Sequence, residues 1–317
     1  MIIVTGGAGF IGSNLVHALN KKGCDDIVIV DNLSNPEKFN NIKNFSISDY
    51  FDKNDFIENL ESIKKPEAIF HLGACTSTTE KDGLYLMRNN FEYSKKLLQW
   101  AMSRRVPFVY ASSASVYGNG SDGFKEDRSC ENPLNMYAFS KMMFDNYVRR
   151  VIHKSPVPLT GVRFFNVYGP QENHKGGMAS VIFQFYHQLK KYGEMRLFEG
   201  SKEFLRDFVF VDDVVKVILF LYSGEKKGIF NCGTGRARSF YDIAAIMKKG
   251  SKPARITIVP FPVELKCKYQ SYTCSDPGNL IRAGYKNKFT EIEEGVIKYH
   301  HLLESTGGYL EKIPRHH

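Results

Sequence analysis

The 317-residue sequence lacks any apolar run near the roughly 20 residues that a membrane-spanning helix needs. It also lacks internal repeats, low-complexity linkers and a cationic leader, since Met1-Ile2-Ile3-Val4 enters a glycine-rich loop at once. The missing leader argues against a secretory signal peptide. From these absences we expect a cytoplasmic protein with no membrane partner.

Cysteine is sparse and shows no metal-binding or redox pattern. The six cysteines form no C-x-x-C pair and no metal-ligand spacing with histidine; they lie at positions 24, 75, 130, 232, 267 and 274. Free thiols in a reducing compartment are therefore expected, and no metal site is predicted.

Positive charge is in excess but is not clustered. The chain has 43 Lys and Arg against 34 Asp and Glu, a net charge of +9, yet its densest basic groups are isolated pairs such as Lys21-Lys22 and Lys64-Lys65. No basic block is interleaved with aromatic residues, so a nucleic-acid partner is not expected. A mildly positive field favours an anionic small molecule.

Short apolar segments alternate with longer amphipathic ones. Strands are predicted at 2–4, 27–31, 68–70, 108–111, 159–165, 208–211 and 229–232, and helices at 10–22, 136–151, 179–191, 213–222 and from 239. Alternating strands and helices with strands that are apolar throughout predict an α/β protein with a parallel sheet covered on both faces.

A glycine-rich loop follows the first predicted strand. Thr5-Gly6-Gly7-Ala8-Gly9-Phe10-Ile11-Gly12 satisfies G-x-G-x-x-G, and Gly6, Gly9 and Gly12 satisfy G-x-x-G-x-x-G. Glycine allows the tight turn and the close approach of a pyrophosphate, which the amino terminus of the following helix then binds. Asp31 comes 19 residues after Gly12, where a carboxylate can accept ribose hydroxyls. These features predict a dinucleotide site in a Rossmann-type, doubly wound sheet.

The neighbours of Asp31 leave the choice of dinucleotide open. Its carboxylate alone favours NAD, because it repels a 2′-phosphate. Asn32, Lys38 and Lys53 on the same and following loops favour NADP, although each lysine alone could be an ordinary surface residue.

A second group of polar residues surrounds the strand that ends at Tyr110. The strand runs into Ala111-Ser112-Ser113-Ala114-Ser115, and Tyr137 and Lys141 follow four apart on a predicted helix. Residues at this spacing share a helix face, and a nearby cation favours a phenolate. Tyr137 is therefore expected to act as an acid or base near neutral pH, with Ser113 as a hydrogen-bond partner of a substrate alcohol.

Together the glycine loop, the serine-rich strand end and Y-x-x-x-K resemble the extended short-chain dehydrogenase/reductase family, which includes nucleotide-sugar epimerases and dehydratases. The resemblance gives Ser113 the substrate hydrogen bond, Tyr137 the acid/base role and Lys141 the ribose contact. It also implies a smaller, discontinuous substrate-binding domain. Dehydratases of the family carry an Asp-Glu pair where this chain has Ala114 and Ser115, so dehydration is not expected.

Later motifs resemble the epimerases of this family that act at C6 of an ADP-linked heptose. They comprise His71–Glu80, Glu172–Ser180, Leu197–Ser201 and Arg206–Val209. The resemblance implies epimerisation of ADP-D-glycero-D-manno-heptose through a 6-keto intermediate, which supplies a lipopolysaccharide inner-core precursor. It further implies one tightly held NADP per subunit, with NAD possible, and a homo-oligomer, by resemblance a pentamer.

The same resemblance implies the site residues. A second acid/base is expected at Lys175. Cofactor contact is expected at Gly6, Gly9, Phe10, Ile11, Gly12, Asp31, Asn32, Lys38, Lys53, Leu72, Gly73, Ala74, Cys75, Thr76, Asn89, Lys141, Val167 and Lys175. Substrate contact is expected at Ser113, Asn166, Gly177, Gln184, Phe198, Glu199, Gly200, Ser201, Arg206 and Tyr269, although Gly177 replaces a serine of the family and Gln184 a histidine.

The predicted domains are discontinuous. Residues 1–165, with returns near 207–236 and 272–294, are assigned to cofactor binding, and 166–206, 237–271 and 295–317 to substrate binding. Two alternatives remain for function: a different nucleotide-sugar epimerase, such as a hexose 4-epimerase, and a non-catalytic NAD(P)-sensing protein.

Overall fold

The computed structural model describes residues 1–250, 254–262 and 270–313. Its strands are β1 (Ile2–Thr5), β2 (Ile27–Asp31), β3 (Asp49–Asp52), β4 (Ala68–His71), β5 (Phe108–Ser113), β6 (Leu159–Phe164), β7 (Asn166–Tyr168), β8 (Glu194–Phe198), β9 (Leu205–Phe210), β10 (Gly228–Cys232), β11 (Ala237–Ser239) and β12 (Arg255–Val259).

The α-helices of the described residues are α1 (Phe10–Lys21), α2 (Lys53–Glu58), α3 (Gly83–Leu86), α4 (Tyr93–Ser103), α5 (Met136–Val151), α6 (Val181–Tyr192), α7 (Val211–Ser223), α8 (Phe240–Gly250), α9 (Gly278–Arg282) and α10 (Ile292–Thr306). A π-helical segment, Met87–Glu92, joins α3 to α4. Short 3-10 turns include Pro36–Asn41, Ala114–Tyr117 and Asn173–Met178. None of the helices in the described ranges is long and apolar enough to cross a membrane.

Seven parallel strands form the central sheet in the order β10-β6-β5-β4-β1-β2-β3. β1 lies between β2 and β4, so the chain winds outward from β1 in both directions. Successive residues of β1 point to opposite faces: Ile2 and Val4 enter a core shared with α1 and α7, and Ile3 enters a core shared with α4 and α5. The predicted α/β fold with a doubly wound parallel sheet is confirmed.

Two smaller sheets lie beyond the central one. One has the order β11-β9-β7, and the other pairs β12 with β8. Apolar residues of α6, α8 and α10, including Ile182, Ile243 and Tyr299, form a third core with Phe208 of β9. Most residues of this third core belong to segments that were predicted to bind substrate. The exact division of the chain into two domains stays a prediction.

Element boundaries match the sequence-based ones where the periodicity is strong, as in α5, which spans Met136–Val151 as predicted. The predicted strand 159–165 instead divides into β6 and β7, which join different sheets. The predicted helix 213–222 begins earlier, at Val211, where Asp212 and Asp213 occupy the first turn and favour the positive end of the helix dipole.

A buried charge cluster fixes α5 against β5 and β6. Asp145 of α5 accepts hydrogen bonds from the Tyr110 hydroxyl at 2.8 Å and the Ser112 hydroxyl at 2.9 Å. The same carboxylate accepts from Arg163 Nε at 2.9 Å, and Arg163 also pairs with Glu131. Asp145 and Arg163 are fully buried, so each depends on the other for compensation of its charge.

Removing the Asp145 charge should destabilise the fold. Because Arg163 keeps only Glu131 as a buried carboxylate partner, we expect Asp145→Asn to lower the free energy of unfolding by about 3 kcal/mol. Urea unfolding measures the change. Glu61→Gln, which breaks the exposed ion pair with Arg104, is the matched control and should cost less than about 1 kcal/mol. Equal effects of the two variants would contradict the prediction.

Candidate active site

Three adjoining cavities lie at the carboxyl ends of the central strands. Their volumes are about 230, 420 and 620 Å³, and neighbouring cavities share lining residues. Asp31 and Lys38 line both the 230 and the 420 Å³ cavity, and Phe10 and Lys175 line both the 420 and the 620 Å³ cavity. The carboxyl edge of an open parallel sheet, where strand order reverses, is where such folds bind ligands. The cavities therefore extend from β2 to the smaller sheets.

The glycine loop closes tightly on the neighbouring strand end. Gly6 has φ +69°, and a Cβ added to it would lie 2.6 Å from Gly73 Cα. A Cβ added to Gly12 would lie 2.1 Å from the Gly6 carbonyl oxygen. α1 then begins at Phe10 with no side-chain cap from Gly9, so amide groups of its first turn are available to an anion. The loop therefore fits the diphosphate of a dinucleotide.

Asp31 organises the entrance to the first cavity. Its carboxylate accepts hydrogen bonds from the backbone amide of Ala8 at 2.8 Å and of Asn32 at 2.6 Å. Lys38 Nζ forms an ion pair with it at 2.9 Å and donates to the Asn32 carbonyl at 3.0 Å. The carboxylate that would repel a 2′-phosphate is thus already compensated by a cation.

A second lysine reaches the same cavity from the opposite side of β2. Lys53 Nζ donates to Asn89 Oδ1 at 2.5 Å and lies 5.9 Å from the centre of the Tyr85 ring. Asn89 in turn donates to Asn90, which bonds the Cys75 backbone and the Ser140 hydroxyl. Hydrogen bonds therefore connect the lysine to α5.

Ser113, Tyr137 and Lys141 line the 620 Å³ cavity together, as the sequence predicts. Ser113, at the end of β5, caps the Ala114–Tyr117 turn through its Oγ. Lys141 Nζ donates to the Ala111 carbonyl at 3.0 Å, which holds the ammonium beside the same strand end. Asn135 caps α5 by accepting from Ala138 N, so the first turn of the helix presents Tyr137 to the cavity.

Burial shifts the titration of both α5 residues. It raises the pKa of Tyr137, while the hydrogen bond with Ser113 lowers it, and burial lowers the pKa of Lys141 to about 8. The expectation of a lowered Tyr137 pKa is wrong for the protein alone, because burial of the phenol is the largest cause of its shift and only the Ser113 hydrogen bond opposes it.

Lys175 enters the cavities from the Asn173–Met178 turn. Its Nζ lies 5.0 Å from the centre of the Phe10 ring, at the start of α1. Burial lowers its pKa, and the nearby Glu172 carboxylate opposes the shift. Glu172 is fully buried and accepts from the Ser180 amide at 2.6 Å and the Ser180 hydroxyl at 2.5 Å, which ties the turn to α6.

The far end of the 620 Å³ cavity is lined by Asn166, Gly177, Gln184 and Arg206. Gln184 Nε2 donates to the Gly176 carbonyl at 2.8 Å, and Arg206 lies 5.5 Å from the Phe240 ring centre. A Cβ at Gly177 would meet no atom within 4 Å, so the family's serine would fit there.

The structure brings all the residues predicted to contact the cofactor into the walls of the three cavities. It does not bring Phe198, Glu199, Gly200 and Ser201 into those walls; they lie at the end of β8, where Phe198 packs against Phe261. Tyr269, like Cys267, lies outside the described residues. Their roles in substrate binding stay predictions.

Sequence reasoning missed the aromatic wall of the first cavity. Tyr85 and Tyr93 line it with Asn89 between them. Tyr85, Asn89 and Tyr93 follow one another at intervals of four residues, and this helical periodicity was the available signal. Glu172 and Asn41, which hold neighbouring segments in place, had no comparable signal.

The family model of the NAD dependent epimerase/dehydratase family matches residues 2–233. The chain is also 52% identical over 317 residues to an ADP-L-glycero-D-manno-heptose-6-epimerase of Brachyspira hyodysenteriae, covering 98% of this chain and all of that protein. The chain belongs to the NAD dependent epimerase/dehydratase family. Its predicted resemblance is confirmed, and it is expected to bind a nicotinamide dinucleotide as the family does.

Solved structures of family members share the fold. The Helicobacter pylori ADP-L-glycero-D-manno-heptose-6-epimerase superimposes with a TM-score of 0.85 at 29% identity, over 96% of each chain. The Thermotoga maritima UDP-glucose 4-epimerase superimposes with a TM-score of 0.81 at 27% identity, over 96% of this chain and 99% of that one.

His71 beneath the glycine loop predicts a pH dependence of stability. The ring is buried between the Thr5 hydroxyl, 2.6 Å from Nδ1, and the Ser94 hydroxyl, 2.8 Å from Nε2. Burial lowers its pKa to about 3. Because the unfolded chain binds a proton near about pH 6.5 and the folded chain does not, stability should fall as the pH falls below that value.

We expect the His71 contribution to decrease by about 2 kcal/mol between about pH 6.5 and pH 5. Urea unfolding gives the free energy of unfolding of the parent and of His71→Gln at both pH values. The difference between the two proteins, compared between the two pH values, isolates His71 because the other histidines contribute equally to both. A difference that does not change with pH would show that His71 is protonated in the fold.

Proposed function

We propose that this family member epimerises C6 of ADP-D-glycero-D-manno-heptose, giving ADP-L-glycero-D-manno-heptose, with NADP as its cofactor. The observation that carries the proposal is that Tyr137 and Lys175 line one cavity from different elements. In the proposed reaction the 6-ketone turns between loss and return of the hydride, so its oxygen exchanges a proton from two different directions, and two acid/base groups would serve those two positions. The relatives named for this reaction support the choice of sugar.

The chemistry is an oxidation followed by a reduction at the same carbon. A nicotinamide dinucleotide held by the Gly6–Gly12 loop, Asp31 and Lys38 would supply an acceptor for the C6 hydride and a donor for its return. One acid/base group takes the proton of the C6 hydroxyl as the carbonyl forms. The 6-ketone turns about its C5–C6 bond, and the other group protonates the oxygen when the hydride enters the second face.

Burial favours complementary protonation of the two groups. It raises the pKa of Tyr137 and lowers that of Lys175, although the Glu172 carboxylate opposes the second shift. Both groups are thus moved toward their neutral forms, a phenol that can donate a proton and an amine that can accept one. Ser113, which shares a hydrogen bond with Tyr137, would hold the substrate oxygen between them.

The substrate end of the cavity suits a sugar diphosphate. Arg206 lines it, and a guanidinium can donate to two phosphate oxygens at once. Asn166 and Gln184 offer amide groups for sugar hydroxyls. The absence of the dehydratase Asp-Glu pair at Ala114 and Ser115 supports epimerisation over loss of water.

A hexose 4-epimerase is the second candidate, because the Thermotoga UDP-glucose 4-epimerase shares the fold. That reaction gives no role to Lys175. A non-catalytic sensor would have no need of the Ser113, Tyr137 and Lys141 arrangement. Proton NMR of the protein mixed with the ADP-linked heptose, and separately with UDP-glucose, distinguishes the three.

Subunit association also stays a prediction. Leu84 and Met136 are exposed apolar residues on α3 and α5, whose helices contact each other. Two such residues do not by themselves indicate an interface, so the homo-oligomer rests on the resemblance alone. Whether it is a pentamer is decided by its mass in solution.

Lys53 should contribute to the preference for NADP over NAD. Its ammonium lies in the cavity that Asp31 and Lys38 line, where it can neutralise a 2′-phosphate. We expect Lys53→Ala to weaken NADP binding roughly tenfold to hundredfold, the usual effect of losing a charge-assisted contact, and to leave NAD binding nearly unchanged. Titration calorimetry measures both affinities. Lys65→Ala, at an exposed position, controls for net charge; an unchanged NADP/NAD ratio in Lys53→Ala would remove this lysine from the site.

Tyr137 and Lys175 should both be needed for epimerisation. We expect Tyr137→Phe and Lys175→Met each to slow it by at least about 10²-fold, the low end for a positioned acid/base. Each variant should still bind NADP and, when supplied with NADPH as the hydride donor, reduce a C6 carbonyl analogue, with the two variants favouring opposite C6 configurations. Product analysis by NMR measures the rate and the configuration.

Matched controls lie together on the exposed end of α6. Tyr192→Phe and Lys191→Met make the same chemical changes at Tyr192, which is half exposed, and at its neighbour, and should leave the rate unchanged. If Lys175→Met epimerised as fast as the parent, the two-base mechanism would fail and a hexose epimerase mechanism would become the better account.

A further inference from the structure

Two segments with different predicted tasks lie against each other. The Pro36–Asn41 turn carries Lys38 and the Asn173–Met178 turn carries His174 and Lys175, and all three side chains line the 420 Å³ cavity. They are more than 130 residues apart in sequence. Their contact consists of side-chain hydrogen bonds.

The Asn41 amide is the centre of the contact. Its Nδ2 lies 2.9 Å from the Ala8 carbonyl of the glycine loop, 3.1 Å from the Gln171 carbonyl and 3.1 Å from His174 Nδ1. Two of these three neighbours are carbonyl oxygens, so the amide nitrogen faces them, and His174 Nδ1 shares the same polar cluster. The side chain is almost completely buried, at 1% exposure.

The charge state of His174 allows a hydrogen bond with Asn41. Burial, together with the positive charges of Lys38 and Lys175, lowers its pKa to about 4. The ring is therefore neutral near pH 7, although a hydrogen bond with the Gln171 backbone opposes the shift. In its neutral form with the proton on Nε2, His174 Nδ1 can accept from Asn41, 3.1 Å away.

Further bonds hold the two segments in register. Asn35 Nδ2 donates to the His174 carbonyl at 3.1 Å, and Gln171 Nε2 donates to the Asn41 carbonyl at 2.8 Å. Gln171 has φ +77°, a conformation that a non-glycine residue adopts only when its surroundings impose it. The start of the Lys175 segment is thus fixed by the cofactor segment.

We propose that Asn41 and His174 are positioning residues for Lys175. They join the segment that binds the adenosine end of the cofactor to the segment that carries the second acid/base, so that a ligand beside Lys38 also steadies Lys175. The inference rests on the proposed role of Lys175 in the reaction. Neither residue touches the reacting carbon in this account.

Hydrogen exchange of the full-length protein tests the connection without an activity measurement. Adenosine 2′,5′-bisphosphate is the probe, because it carries the adenosine and its two phosphates but neither the nicotinamide of the cofactor nor the heptose of the substrate. In the parent it should slow amide exchange in residues 36–41 and also in 173–178. In His174→Ala the protection of 36–41 should remain and that of 173–178 should decrease about fivefold, as expected for loss of one hydrogen bond.

Two conservative variants separate this effect from general disruption. In His174→Asn the amide oxygen can accept from Asn41 as Nδ1 does, so protection of 173–178 should return. Asn35→Asp keeps the side-chain oxygen that accepts from Glu37 N but loses the amide that donates to the His174 carbonyl. Residues 173–178 should therefore lose protection in this variant as they do in His174→Ala. Full protection in His174→Ala, or no rescue in His174→Asn, would overturn the proposal.

The carbonyl-analogue assay connects the contact to the reaction. We expect His174→Ala to shift the ratio of C6 products about fivefold toward the configuration that Lys175→Met gives, and His174→Asn to restore the parent ratio. Equal slowing of both configurations would indicate a merely structural role and would also overturn the proposal. If the parent epimerises no heptose, the proposed function fails, while the exchange result still decides whether the segments are coupled.

Discussion

The contact between Gly12 and the Gly6 carbonyl is the constraint on which the site depends. A Cβ at Gly12 would lie 2.1 Å from that oxygen, so α1 can begin this close to β1 only without a side chain there. Because α1 begins so close to β1, the first turn of the helix lies at the carboxyl edge of the sheet. Asp31 then holds the loop through Ala8, and every other functional segment is placed relative to that edge.

Burial shifts the pKa values of the acidic and basic groups of the site in opposite directions. It disfavours the charged form of any group, so it raises the pKa of the Tyr137 phenol and lowers those of the Lys141 and Lys175 amines. Burial thereby shifts the phenol and the two amines, which line the same cavity, toward their neutral forms.

Local patterns predicted the part of the structure that depends on short-range geometry. Glycine spacing, the four-residue interval from Tyr137 to Lys141 and the apolar strands were sufficient for the fold class and for one wall of the cavity. Contacts between distant segments were not predictable: Asn41 meets His174 across 133 positions, and although His174 lies in the Glu172–Ser180 motif, nothing in that motif points to Asn41. The pKa direction at Tyr137 was wrong for the same reason, since spacing reports a neighbouring charge but not the depth of burial.

The π-helical segment Met87–Glu92 widens the range of partners that one helix can reach. A π turn holds one residue more than an α turn. Here it lets the consecutive residues Asn89 and Asn90 serve different partners, Lys53 on one side and Cys75 with Ser140 on the other. Deleting one residue would restore a regular α-helix and keep α4 nearly in line with α3, but only one of the two asparagines would then face its present partners. The extra residue thus enables a single helical segment to reach both the lysine side and the Cys75 side of the cavity.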